Sequence, residues 1–307
     1  MKSNQPGGQK FDSISALHRA LGLAKPMHPL VSLVDYADIT TPEKDLPKRL
    51  LLGFYKISYK RKLSAKIPYG QGHYDFDEGG ISFVSPNQLI AAADDEQDYS
   101  GFTLLFHADF LRGHALAKRI HEYGFFSYSA HEALHLSEKE KTTLTEVFYH
   151  IMQELSGNID DFSQDLIISY IEVLLNYSNR FYKRQFITHK VINHDILTRV
   201  EQILNTYFAE EKMLQEGLLT VNNLAAQVNL SPRYLSDLLR SLTGKSTQQY
   251  IQDKVIEKAK EYLTSGDLTV AEIAYRLGFE HPQSLNKIFK RKTNQTPIEF
   301  KQRFYTN

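Results

Sequence analysis

The chain has 307 residues, is 42% hydrophobic and balances 36 Lys and Arg against 36 Asp and Glu. That length and apolar content suffice for two hydrophobic cores, and overall neutrality excludes a polycation that coats nucleic acid without discrimination. It contains no cysteine, which excludes a disulfide framework, a thiolate zinc site and a cysteine nucleophile.

In chain order, residues 1–11 are polar, without an apolar leader core, and no apolar run approaches the roughly 20 residues of a membrane-spanning helix. A cytoplasmic protein without a membrane partner is expected. From 48 to 106 the chain turns to short runs rich in Tyr, Phe, Ile, Val and Leu, at 50–59, 74–76, 81–84 and 102–106. Turn signals at 68–72, 77–80 and 85–88 punctuate them, predicting strands packed as a compact antiparallel barrel or sandwich. Phe54, Tyr59, Tyr69, Tyr74 and Phe76 are candidate lining residues for a small ligand inside it, with Tyr hydroxyls supplying orientation. A simply filled core accounts for the same residues. His73, Asp75, Glu78 and His107 lack the close histidine pair of a metal centre, so no metal or cofactor is expected.

Next, Ser137 and Glu140 form a capping box ahead of a stripe of Leu144, Val147, Phe148, Ile151, Met152 and Leu155, and Gly157 ends that helix. A second helix over 162–182 carries Leu166, Ile167, Tyr170, Ile171, Val173, Leu174, Leu175 and Phe181, an arc too wide for one neighbour. Either a second copy of the chain or the rest of its own domain covers the surplus. The polar stretch 187–195, with His189 and His194, reads as a linker between domains.

Beyond it lies an internal repeat. Leu224, Ala225, Val228 and Leu230 recur 49 residues on as Ile273, Ala274, Leu277 and Phe279. After a slip of one residue, Pro232, Leu235, Leu238, Leu239, Arg240, Thr243 and Tyr250 recur 50 residues on as Pro282, Leu285, Ile288, Phe289, Lys290, Thr293 and Phe300. Each copy reads as a short helix, a tight turn and a longer helix, the helix-turn-helix layout. Thr220 caps the first short helix, Ser231 with Pro232 starts the next, and Gly244 stops it. Thr269 with Glu272 is a capping box, and Gly278 and Pro282 bracket the second turn. A helix without Gly or Pro over 246–263, with Ile251, Val255, Ala259 and Tyr262 at helical spacing, joins the copies. Its 18 residues span about 27 Å, close to the ~34 Å between successive major-groove faces once the flanking units are added.

The apolar stripes leave Arg233, Ser236, Asp237 and Arg240 outward on the first long helix and Gln283, Asn286, Lys287 and Lys290 outward on the second. Gln and Asn can pair bidentately with adenine, and Lys reaches guanine or phosphate. Residues 196–307 hold 15 Lys and Arg against 12 Asp and Glu, and 281–303 carry Lys287, Lys290, Arg291, Lys292, Lys301 and Arg303 against Glu299 alone. Arg291, Lys292, Lys301 and Arg303 are expected on phosphates.

The string Leu224-Ala225 through Ser231-Pro232-Arg233-Tyr234-Leu235, then Lys254-Val255 to Ala259, Glu272-Ile273-Ala274, Gly278-Phe279 and Thr296-Pro297, resembles the landmarks of AraC-type (AraC/XylS) transcription regulators, in their order. Asn294, Gln283, Leu285 and Lys254 depart from that pattern without breaking it. The resemblance covers nearly all of 196–304. It implies a cupin-like N-terminal sensor, for which 77–88 is the best landmark, although the histidine that often follows is missing.

The expected fold is therefore α+β: a cupin-like β-barrel or sandwich with two following helices in a sensor and dimerisation domain (1–186), a linker (187–195), and an all-α DNA-binding domain (196–307) of two helix-turn-helix units joined by a linker helix. The expected function is that of a bacterial, sequence-specific DNA-binding transcription regulator and not an enzyme. Double-stranded DNA, a second copy of the chain, a small-molecule effector and RNA polymerase are the expected partners. The rivals are a metal-dependent cupin enzyme with an accessory helical domain and an adaptor whose helical part binds protein.

Overall fold

A computed structural model describes residues 8–42, 47, 49–61, 67–69, 72–74, 79–91, 100–157, 160, 162–266 and 268–306. It divides into two compact units, Met1–Gln185 and Phe186–Asn307. The first contains β1 (Gln9–Phe11), α1 (Ile14–Ala20), β2 (Val31–Asp35), β3 (Arg49–Leu52), β4 (Tyr55–Lys60), β5 (Ile67–Tyr69), β6 (Gly72–Tyr74), β7 (Gly80–Val84), β8 (Leu89–Ala91), β9 (Gly101–Phe106), α2 (Ala115–Arg119), β10 (Leu134–His135), α3 (Glu138–Ser156) and all but the last three residues of α4 (Ser163–Thr188).

The strands form a five-stranded sheet in the order β10-β7-β4-β9-β2, a three-stranded sheet β1-β3-β8 and a two-stranded β5-β6 ribbon. This overturns the expected cupin-like barrel. Among the described residues no sheet closes: the large one ends at β10 and β2, and β1 runs parallel to β3. The apolar run at 50–59 breaks at Gly53, so β3 and β4 enter different sheets.

Helices cover both faces of the large sheet. Cross-strand neighbours share a face, and the register pairs Tyr59 with Phe102 and Ile57 with Leu104. On that face Phe148 of α3 stacks on Tyr59 at 5.7 Å and meets Phe102 at 5.8 Å. On the opposite face Leu105 and Val34 join Phe11, Ile14, Leu17, Leu52 and Phe54 in a core roofed by α1. Burial of that kind stabilises by about 1.5–3 kcal/mol per large side chain. A third aromatic group, Phe83, Phe125, Phe126 and Tyr182, fastens β7 to α4.

Helix α3 starts as read, with Ser137 and Glu140 in a reciprocal capping box and Gly157 at its end. Glu140 also receives Arg184 of α4 through Nε at 3.1 Å and Nη2 at 2.6 Å, and Nη2 reaches the His135 carbonyl at 2.8 Å.

The second unit contains α5 (Lys190–Ala209), α6 (Met213–Glu216), α7 (Val221–Gln227), α8 (Pro232–Thr243), α9 (Thr247–Thr264), α10 (Val270–Arg276), α11 (Pro282–Thr293) and α12 (Pro297–Thr306). The stretch 187–195 is helical except at His189, where α4 has ended and α5 is about to begin, and the buried Asn193 side chain donates to the Phe186 carbonyl at 2.7 Å.

The sequence repeat is a repeat of structure. Leu224, Ala225, Val228 and Leu230 are buried, as are Ile273, Ala274, Leu277 and Phe279. Both turns close alike: Leu230 N–H donates to the Ala225 carbonyl and Phe279 N–H to the Ala274 carbonyl, each at 3.0 Å. The left-handed turn residue is Asn229 (φ 56°) in one copy and Gly278 (φ 82°) in the other. Both long helices begin at a proline and end at a left-handed residue, Gly244 (φ 75°) and Asn294 (φ 59°). Helix α9 is the common support, packing against α7 and α8 of the first pair and α10 and α11 of the second.

Candidate nucleic-acid interface

On α8, Tyr234, Leu235, Leu238 and Leu239 face inward, which turns the intervening polar positions outward. Arg233 and Arg240 are exposed, whereas Ser236 and Asp237 are half-buried. The two inner groups hold structure in place. Ser236 donates its hydroxyl to Thr247 Oγ1 of α9 at 3.1 Å. Asp237 accepts from Arg233 Nε at 3.0 Å and from Arg240 Nη1 at 2.9 Å.

Helix α11 buries Leu285 and Phe289 and exposes Gln283, Asn286, Lys287 and Lys290. The side chains of Gln283, Asn286 and Lys287 make no hydrogen bond or ion pair with the described residues. These four expected base-reading positions therefore lie on one open helix face.

Three of the four expected phosphate contacts are engaged elsewhere. Arg291 Nη2 donates to Gln252 Oε1 at 2.9 Å, and Lys292 Nζ to Asp253 Oδ1 at 2.7 Å, both on α9. Lys245, just past the end of α8, takes the other Asp253 oxygen at 2.7 Å. Partial burial alone would raise the Asp253 carboxyl, but hydrogen bonds from Lys245 and Lys292, with their charges, outweigh it and hold the group below its ordinary value. Lys301 is likewise tied, donating to the carbonyls of Gly266 and Leu268 at 3.1 Å each. Arg303 is exposed on α12.

Sequence reasoning passed over Asp253 and Lys245, because nothing in helical periodicity tells a solvated acid from one bridging to a residue 39 positions away. Asn229 was within reach: it occupies the place that Gly278 takes one repeat later.

Of the five candidate ligand residues, the side-chain surroundings of Phe54 and Tyr59 are described. Phe54 lies in the core under α1 and Tyr59 on the opposite sheet face. Tyr59 is also packed: Phe148 stacks on its ring and Thr145 donates to its hydroxyl at 3.3 Å. Tyr69 and Tyr74 lie on β5 and β6, and Phe76 is outside the described residues. Of the residues weighed as metal ligands, His73 is on β6, Asp75 and Glu78 are outside the described residues, and His107 accepts the Asp109 N–H at 3.2 Å as a helical cap. Among the described residues no three His, Asp or Glu side chains group as a metal ion requires, and none of the helices is long and apolar enough to cross a membrane.

Two short-helix, turn, long-helix pairs on a shared supporting helix define a helix-turn-helix domain of the kind found in transcription regulators. Residues 224–303 match the family described as "Helix-turn-helix domain". The chain is 28% identical over 138 residues to an uncharacterized HTH-type transcriptional regulator of Staphylococcus aureus, covering 45% of this chain and 17% of that protein. To the HTH-type transcriptional regulator YobQ of Bacillus subtilis it is 32% identical over 89 residues, covering 29% of this chain and 37% of the other. The chain thus spans about a sixth of the length of the staphylococcal relative. Among solved structures, the DNA-binding domain of AdpA in complex with a target DNA is 28% identical, with 34% of this chain and 93% of that one covered and a TM-score of 0.29. The C-terminal domain of AraT from Geobacillus stearothermophilus is 28% identical, with 35% and 84% covered and a TM-score of 0.31.

Proposed function

We propose that the chain is a sequence-specific DNA-binding transcription regulator of the AraC type. The observation that carries this reading is the pair of open polar helix faces, on α8 and α11, mounted on the single helix α9. In this reading the residues outward on α8 and α11 enter successive major-groove segments. Gln283, Asn286, Lys287 and Lys290 read base edges, and Arg303 contacts phosphates. Residues 196–307 are the DNA-binding part. Residues 1–186 receive a signal, such as a small molecule, and pair two copies of the chain. A signal of that kind acts by favouring one arrangement of the DNA-binding parts over another.

The deciding experiment selects duplexes from a random pool with the purified full-length protein and titrates the best of them at several salt concentrations. A selected consensus and an affinity that falls steeply with salt are expected, because neutralising phosphates releases counterions. Absence of duplex binding, or binding indifferent to salt, rejects the proposal and favours an adaptor that binds protein.

A further inference from the structure

Asp237 sits between two arginines on the open face of α8. Arg233 lies one turn before it and Arg240 one turn after, and each carboxylate oxygen takes one of them. The Asp237 side chain is 18% exposed, against 47% and 56% for Arg233 and Arg240. The acid is therefore the inner layer and the guanidinium groups are the outer one.

A guanidinium carries five donors in a planar fork. With its Nε committed to Asp237, Arg233 keeps the edge formed by Nη1 and Nη2. With Nη1 committed, Arg240 keeps the edge formed by Nε and Nη2. Each surviving edge is a two-donor fork of the spacing that guanine O6 and N7 accept. The same carboxylate offsets part of the arginines' charge and restrains their swing toward the sugar-phosphate backbone, where a free cation gains most. Helix α11 is built otherwise, since Gln283, Asn286, Lys287 and Lys290 have no acid among them.

Resting on the DNA-binding reading above, we infer that Asp237 is a specificity-determining positioning residue, holding Arg233 and Arg240 as guanine-reading forks and keeping them from acting as free phosphate-binding cations. The two arginines are seven residues apart, or about 10 Å along the helix, so they address different base pairs.

The test uses the full chain and the best duplex it selects, every single-base variant of that duplex, and an unrelated duplex, each at several salt concentrations. In Asp237→Asn, which keeps the side chain's shape and removes its charge, discrimination at two guanine positions should fall by about fivefold or more. Affinity for the unrelated duplex should hold or rise, with a salt slope steeper by about one. Unchanged discrimination overturns the inference. Arg233→Lys and Arg240→Lys, with Asp237 in place, should each lose guanine preference at one position, and equal losses on all duplexes overturn it. If Asp237→Asn fails to fold, Asp237→Ser takes its place under the same two criteria. Failure of the unaltered chain to bind any duplex is a separate result, which rejects the DNA-binding reading itself.

Discussion

Lys292 of α11 donates to Asp253 of α9 at 2.7 Å, and the same carboxylate takes Lys245 from the end of the first helix-turn-helix unit. One acid on the supporting helix thus ties the two units together. Replacing Asp253 by Ala should cost about 1 kcal/mol, the upper end for partly exposed ion pairs. The pair Asp253→Ala and Lys292→Ala should be less than additive, because the second change removes an interaction already lost. Urea unfolding of the four proteins in the cycle measures both. Strict additivity would show that the bridge contributes nothing.

Acidification should weaken the same part of the molecule. Asp253 is held below its ordinary value as described, and Glu272 and Glu299 are lowered by hydrogen bonds from the Thr269 and Thr296 backbone N–H groups and then from those residues' hydroxyls. A carboxyl lowered in the folded state contributes stability that is present above its unfolded value, near pH 4, and is lost as pH falls through the lower folded value. Unfolding free energy should therefore drop with falling pH below about 4–5, with a shallower slope in Asp253→Asn. A slope unaffected by that substitution would remove Asp253 from the explanation.

Two glycines in the second unit should respond unequally to Ala. Gly244 has φ 75° and open space around it, so Gly244→Ala pays for the left-handed backbone alone, about 1–2 kcal/mol. At Gly278 the φ is 82°, and a Cβ would also lie 2.7 Å from the Gly217 carbonyl carbon and 2.9 Å from the Leu218 nitrogen. Thermal melts should show Gly278→Ala as clearly the more damaging, with Asn294→Gly tolerated because its site is already left-handed.

In the first unit, Arg184→Lys should destabilise by about 1–3 kcal/mol, since lysine cannot reproduce the two-pronged contact with Glu140 together with the His135 carbonyl. Chemical unfolding monitored separately for the two units should register this loss in the first unit.

Under the proposed function, Gln283→Ala and Lys287→Ala should each relax base preference within one half of the site, at about 1–3 kcal/mol. Lys292→Ala should act chiefly through stability, given its partner on α9. Titrations against single-base variants, paired with melts, separate the two kinds of loss.

Whatever is encoded within a few residues was legible in the amino-acid order alone. The caps at Thr220, Ser231, Ser137 and Thr269, the helix stop at Gly244 and the inward stripes of α8 and α11 depend on contacts three or four positions apart. The doubled motif was legible for the same reason, since each copy repeats those local rules. Strand partnership was not: β9 lies between β4 and β2, whose residues are tens of positions away, and alternation of apolar residues cannot say which neighbour a strand takes or whether a sheet closes. The fate of the basic residues near the C-terminus was decided the same way. Lys287 and Lys292 look alike in the chain, yet one faces outward while the other is held by Asp253, and only the packing of α11 on α9 distinguishes them.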